Sequence, residues 1–156
     1  MNPALLRVRA VSTAVLVGTL LSAAVACGTE EENNGQTAPG EPVWVEPAEY
    51  AYTLESTQGE RALIGKFRVT VRDGVVTKAV GLDDSARRLV DQSPDQVPTI
   101  GALLEELNQA RKENADEAEA EYAADGRPER ISIDWLENAI DDEALYAISD
   151  YRPTAE

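Results

Sequence analysis

Carboxylates are the only chemically versatile side chains in abundance here: the 156 residues include 29 aspartates and glutamates, one cysteine and no histidine. Without histidine there is no imidazole base, no Ser-His-Asp relay and no common zinc site. The seven serines offer no substitute, since neither an S-x-x-K nor a G-x-S-x-G spacing occurs. Gly59 and Gly65-Lys66 imitate a phosphate loop at the wrong spacing, and Phe67 stands where a magnesium-binding hydroxyl belongs. Paired carboxylates remain, but among so many some pair falls at glycosidase separation by chance. The expectation is a protein that is not an enzyme and has no cofactor.

Two clusters carry a possible ligand. Asp141-Asp142-Glu143, with Asp134 just across a turn, offers the hard oxygens that Ca²⁺ prefers. The run lacks the D-x-[DN]-x-[DN]-G spacing of a calcium loop, and adjacent residues on an extended chain point opposite ways. A turn solvated by its carboxylates is the simpler expectation, and no metal is assigned. Trp44, Trp135 and Tyr151 form the second cluster. These rings either make an aromatic binding patch or fill the core of a small domain, the commoner use.

The lone thiol, Cys27, is more telling. Arg7 and Arg9 precede an uncharged run over residues 11–26, and Ala23, Ala24 and Ala26 lead up to the cysteine. The run is shorter than the roughly 18 apolar residues that argue for a spanning helix. This layout resembles the signal of bacterial lipoproteins, although Ala24 stands where leucine is commoner. The resemblance implies cleavage after Ala26, a diacylglyceryl group on Cys27, and a lipid-anchored protein on the extracytoplasmic face of the cell membrane. Two acyl chains supply the two signals that stable anchoring needs. The alternative is an ordinary secretory signal with a cysteine after an A-x-A site.

Charge narrows the partners. Beyond residue 26 lie all 29 acidic residues but only 12 of the 14 basic ones, so the net charge there is about −17. Nucleic acid is excluded as a partner, because binding it requires a basic face to neutralise phosphates. An anionic membrane surface repels such a domain, so attachment falls to the lipid. With Cys27 modified no disulfide can form, and stability rests on the core.

Residues 28–42 contain no large apolar side chain and read, with Cys27, as a lipidated, flexible, acidic tether over 27–42. A single domain follows over 43–153, with 154–156 as a tail. Tyr50, Tyr52 and Leu54 alternate along a first strand at 49–58. Phe67, Val69 and Val71 alternate with Lys66, Arg68, Thr70 and Arg72 before Asp73-Gly74, a two-residue turn whose φ > 0 suits glycine. That turn pairs Val71 with Val76 and Phe67 with Val80. It also sets Val69 against Lys78, which demands a bulge or a snorkelling lysine.

The polar stretch 82–98 reads as a long connection. Thr99 then caps a helix with Ile100, Leu103, Leu104, Leu107 and Ala110 on one stripe. Alanine and glutamate over 115–124 favour helix by propensity, yet Ala118, Ala120 and Tyr122 alternate with Glu117, Glu119 and Glu121. Strand is chosen for 117–122. Ile131, Ile133 and Trp135 face inward on a strand over 130–135, 138–143 is a polar turn, and 145–151 is the last strand. The sum is an α+β fold: an antiparallel sheet of about six strands with one helix on one face, in the order β-β-β-α-β-β-β. Arg68-Val69-Thr70-Val71 also echoes Arg130-Ile131-Ser132-Ile133, and Ala79-Val80 with Asp83-Asp84 echoes Ala139-Ile140-Asp141-Asp142.

An ordered set of short motifs joins these elements. Val97-Pro98-Thr99-Ile100 opens the helix, and Asp125-Gly126-Arg127-Pro128 precedes Ile131-Ser132-Ile133-Asp134. Ile140-Asp141-Asp142-Glu143 comes before Tyr146, Ile148 and Ser149. The set resembles a bacterial family of secreted proteins and lipoproteins known only as a domain of unknown function. There the stretch before the Asp-Gly-x-Pro turn looks like a valine-bearing strand, which supports strand at 117–122; Ala118 and Ala120 make it weaker here. The family brings no reaction or ligand. The lack of histidine and of any nucleophile motif, with the small size, suggests a tethered, non-enzymatic module that binds a protein or a cell-envelope component. The alternative is a cation-binding or enzyme-inhibitor-type module that uses its acidic face.

Overall fold

In the computed structural model the described residues are 40, 42–58, 63–136, 139 and 142–154. Period-two alternation becomes six antiparallel strands: β1 Glu49–Gln58, β2 Gly65–Arg72, β3 Val75–Gly81, β4 Glu117–Tyr122, β5 Pro128–Asp134 and β6 Glu143–Pro153. They lie in the order β3-β2-β1-β6-β5-β4. Each half of the chain is thus a three-stranded meander, and the chain's first and last strands meet at the centre.

One face of the sheet is apolar. Tyr50, Tyr52, Leu54, Phe67, Val69, Val71, Ile131, Ile133, Tyr146 and Ile148 are buried there beneath α1 Asp84–Gln92 and α2 Ile100–Glu113. In α2 the inner stripe is Ile100, Leu103, Leu107 and Ala110, with Leu104 half-buried. Thr99 Oγ1 accepts from the Ala102 N–H at 3.1 Å, and Asn114 closes the helix in the left-handed conformation. Arg111 and Lys112 lie in the last turn, where the helix dipole favours cations.

The sheet, its antiparallel order and the strand at 117–122 agree with expectation. The stretch 82–98 does not: it holds α1 and a 3₁₀ turn, Pro94–Gln96, so two helices cover the sheet rather than one. The apolar stripe of α1 is only Ala86, Leu89 and the half-buried Val90, scattered among Asp and Arg. Its strong signal is a cap, since Asp83 accepts from the Ala86 N–H at 2.8 Å and also from the Lys66 N–H at 2.7 Å. Glycine at 81 and 65 lets α1 lie directly on the sheet; a Cβ at Gly81 would strike the backbone of Ala86 and Arg87.

The Asp73-Gly74 turn has φ of 49° and 71°, as a two-residue hairpin with both central residues left-handed requires. Val71 does face Val76. Beyond that pair the register shifts, so that Val69 faces Ala79 and Phe67 faces Gly81 rather than Val80. Thr77 is the extra residue, and its hydroxyl donates to the Thr70 carbonyl at 3.3 Å. The bulge puts small Ala79 over the core and turns Lys78 outward. Trp135, expected on the last inward position of its strand, lies just past β5 and is half-buried against the core.

Candidate functional site

Two surfaces hold the polar groups that the fold does not simply solvate. The first is a knot at the N-terminus of α2. β1 points Tyr50 and Tyr52 inward, and a buried phenol needs a partner. Tyr52 donates to the Pro98 carbonyl. Tyr50 donates to Glu46 Oε1 and accepts from the Ile100 N–H at 3.0 Å, while the Gly101 N–H donates to the same Glu46 oxygen at 3.3 Å. Three free donors of the first helical turn are thereby satisfied, by Tyr50, Glu46 and Thr99.

Aromatic rings close over this knot. Trp44 meets Tyr50 edge-on at 5.9 Å between centroids and Tyr151 at 6.4 Å, and the guanidinium of Arg127 sits 4.9 Å above the Tyr151 ring. Burial pushes the Tyr50 phenol far above its ordinary value, with the Glu46 carboxylate adding to the effect. Tyr52 is raised for the same primary reason, and Tyr151 is raised by burial and by Asp125. The Tyr50 and Tyr52 phenols hold their protons throughout the neutral range and donate them to Glu46 and to the Pro98 carbonyl. The knot ties the arm before β1 to the first turn of α2.

The second surface is the face of the sheet that neither helix covers. On β1 and β2 its charges alternate in sign: Lys66 pairs with Glu55 at 3.0 Å, Arg68 with Asp150 at 3.2 Å, and Arg72 with Glu49 at 3.5 Å. Asp150 also receives the hydroxyl of the buried Thr53 at 3.1 Å. Across β4, β5 and β6 the pattern reverses. Glu117 lies opposite Asp134, which lies opposite Glu143, so three carboxylates stand in one row across three strands. Glu119 and Glu121 continue along the outer strand, and Arg130, opposite Glu121, is the cation among them. Like charges directly opposite one another destabilise a sheet.

Of the residues singled out from sequence, Asp134 and Glu143 are thus brought together, joined by an unsuspected Glu117. Asp142 adjoins them, and its two carboxylate oxygens are inaccessible and lack a hydrogen-bond partner. Asp141 and Cys27 lie outside the described residues. Among the described residues no three His, Cys, Asp or Glu side chains converge as a metal site would require. Trp44 and Tyr151 do share a cluster, with Tyr50 and Tyr52 as its remaining rings, whereas Trp135 stands apart at the end of β5. Sequence reasoning missed Glu46 and the phenol bonds. Their signal was two inward tyrosines on one strand, each obliged to find a polar partner.

These features define an α+β domain with an open sheet face and an N-terminal arm bound to its helical layer. Residues 42–153 match the family of unknown function DUF6174, and the chain belongs to that family. The match spans the arm through the last residue of β6. No curated protein and no solved structure matches it. Among the described residues no helix is long and apolar enough to cross a membrane.

Proposed function

We propose that this protein is a lipoprotein, anchored through Cys27 on the extracytoplasmic face of the membrane, whose domain is a non-enzymatic binding module for a protein of basic surface. One observation carries the choice of surface: the unneutralised row Glu117, Asp134 and Glu143 on the open face. The same face on β1 and β2 shows that the fold readily places a cation opposite each acid, so a like-charge row invites a cation from outside. Opposite charge steers encounter and fixes orientation, and such binding weakens as salt shortens the Debye length from about 10 Å at 0.1 M.

The anchor is tested by metabolic palmitate labelling with membrane fractionation. Wild type should take up lipid and Cys27→Ala should not; an unlabelled wild type refutes the anchor. The surface is tested by retaining envelope proteins on the wild type and on a Glu117→Gln, Asp134→Asn, Glu143→Gln variant at low and high salt. Partners retained by the wild type at low salt should be lost in the variant and at high salt. Retention indifferent to both would move recognition elsewhere.

A second reading rests on the unpartnered carboxylate of Asp142, which a bound Ca²⁺ would satisfy. A saturable, calcium-specific rise in melting temperature, scaling as RT ln(1 + [L]/Kd) and lost in Asp142→Asn, would favour it. We expect no rise beyond ionic-strength controls.

A further inference from the structure

We infer that residues 42–47 form a releasable strap, latched by Glu46 and Trp44, which covers the start of α2 and opens without unfolding the sheet. The strap is extended, and among the described residues no backbone–backbone hydrogen bond joins it to the domain; the first such bond lies just beyond it, from the Asp73 N–H to the Ala48 carbonyl. Its attachment is made of side chains. Trp44 packs against Tyr50 and Tyr151, Glu46 binds the Tyr50 hydroxyl and the Gly101 N–H, and the turn at Gly126 lies against Pro42 and Val43. The Val43 and Val45 side chains are 63% and 78% exposed, so alternate side chains of the strap do little to hold it.

The transition from strap to sheet is abrupt. From Glu49 onward β1 is paired on both sides, to β2 and to β6. Segments with few buried contacts and no ladder open at far lower free energy than central strands do. The boundary between the two regimes falls at Pro47. A load on the chain upstream therefore reaches the sheet only after the contact at Gly126, the Trp44 indole and the Glu46 carboxylate.

The latch also depends on a missing side chain in α2. At Gly101 a Cβ would overlap the Glu46 carboxylate, so this helix position is open only because it is glycine. Two unrelated substitutions should then open the same strap: Glu46→Ala from the strap side and Gly101→Ala from the helix side. The second leaves the strap sequence intact and improves helix propensity.

The test is limited chymotrypsin digestion of the full chain, scored after Trp44 in the strap and after Tyr52 in β1, with hydrogen exchange of β1 and β5 amides as the control for the sheet. Each variant should speed cleavage after Trp44 about tenfold with β1 and β5 protection unchanged. The double variant should be no faster than either single one, because both remove one interaction. Two results would overturn the inference. Cleavage after Trp44 that stays at the wild-type rate in both variants denies the latch. Alternatively cleavage after Tyr52 and β1 exchange rise in step with it, which makes the strap part of the sheet's cooperative unit.

Discussion

The two meanders are built to one plan and furnished differently. In β1-β2-β3 the inward side chains are large, with Tyr50, Tyr52, Leu54, Phe67, Val69 and Val71 all buried, and the outward charges of β1 and β2 are paired, Arg68 with Asp150 of β6. In β4-β5-β6 the outer strand offers only half-buried Ala118 and Ala120 to the core, and its outward face gathers acids. The middle strands correspond, since Arg68-Val69-Thr70-Val71 on β2 and Arg130-Ile131-Ser132-Ile133 on β5 occupy the same place in each meander. The second half of that echo fails: Ala79 lies within β3, whereas Ala139 lies in the connection before β6. Shared alternation accounts for the likeness. The two halves thus differ in the side-chain volume their strands bury and in how their outward charges are matched.

That division can be broken where it is strongest. Tyr52→Ala should cost about 3–5 kcal/mol, the range for emptying a large buried aromatic position, and it also strands the Pro98 carbonyl. Chemical denaturation measures it. A loss below about 1 kcal/mol would mean that the large side chains of the first meander do little to stabilise it. Next in size is Gly74→Val in the same meander. Space around Gly74 is open, so the cost is left-handed strain alone, about 1–2 kcal/mol. An unchanged melting temperature would show that the turn relaxes to another type.

Asp83→Ala tests the cap of the helix over the first meander, with an expected cost of about 1 kcal/mol near neutral pH. Hydrogen bonds from the Ala86 and Lys66 amides hold the Asp83 carboxyl below its ordinary 3.8. Because the folded value is lowered, its contribution is present above about pH 3.8 and fades as pH falls through the folded value. Wild type and variant should therefore converge as the pH falls below 3.8; a difference that does not shrink in acid would point to packing instead. The smallest effect sharpens the contrast by sign. Asp134→Asn should stabilise by roughly 0.2–1 kcal/mol at low salt by relieving the acidic row, while Glu55→Gln should destabilise by a similar amount. Both differences should shrink at 1 M salt. Equal signs would mean that the two faces are not electrostatically distinct.

Much of this fold was legible because its strands alternate cleanly: the apolar residues of β1, β2 and β5 repeat with period two, a spacing that no helix presents. The strand over Glu117–Tyr122 was readable for the same reason, despite a composition that favours helix. α1 was not legible, because its seat is made by absent side chains at Gly65 and Gly81 rather than by an apolar stripe of its own. The hairpin register was readable only as a conflict at Val69, which the bulge at Thr77 resolves. As for the surfaces, Asp134 and Glu143 were in view from sequence, but Glu117 joins them only through the order of three strands. Glu46 binds residues 50 and 101, a partnership no local pattern reveals.

The pairing of β1 with β6 also governs how the molecule is made. Thr53 faces Ser149, so the centre of the sheet joins residues nearly a hundred positions apart. The strands of each meander are local neighbours, but the core does not close until β6 docks beside β1. Loop closure over such a span must precede the contacts that reward it, and folding slows accordingly. A chain under synthesis thus stays unlocked until β6 is available, so the docking of β6 beside β1 is the event that commits the domain to its native state.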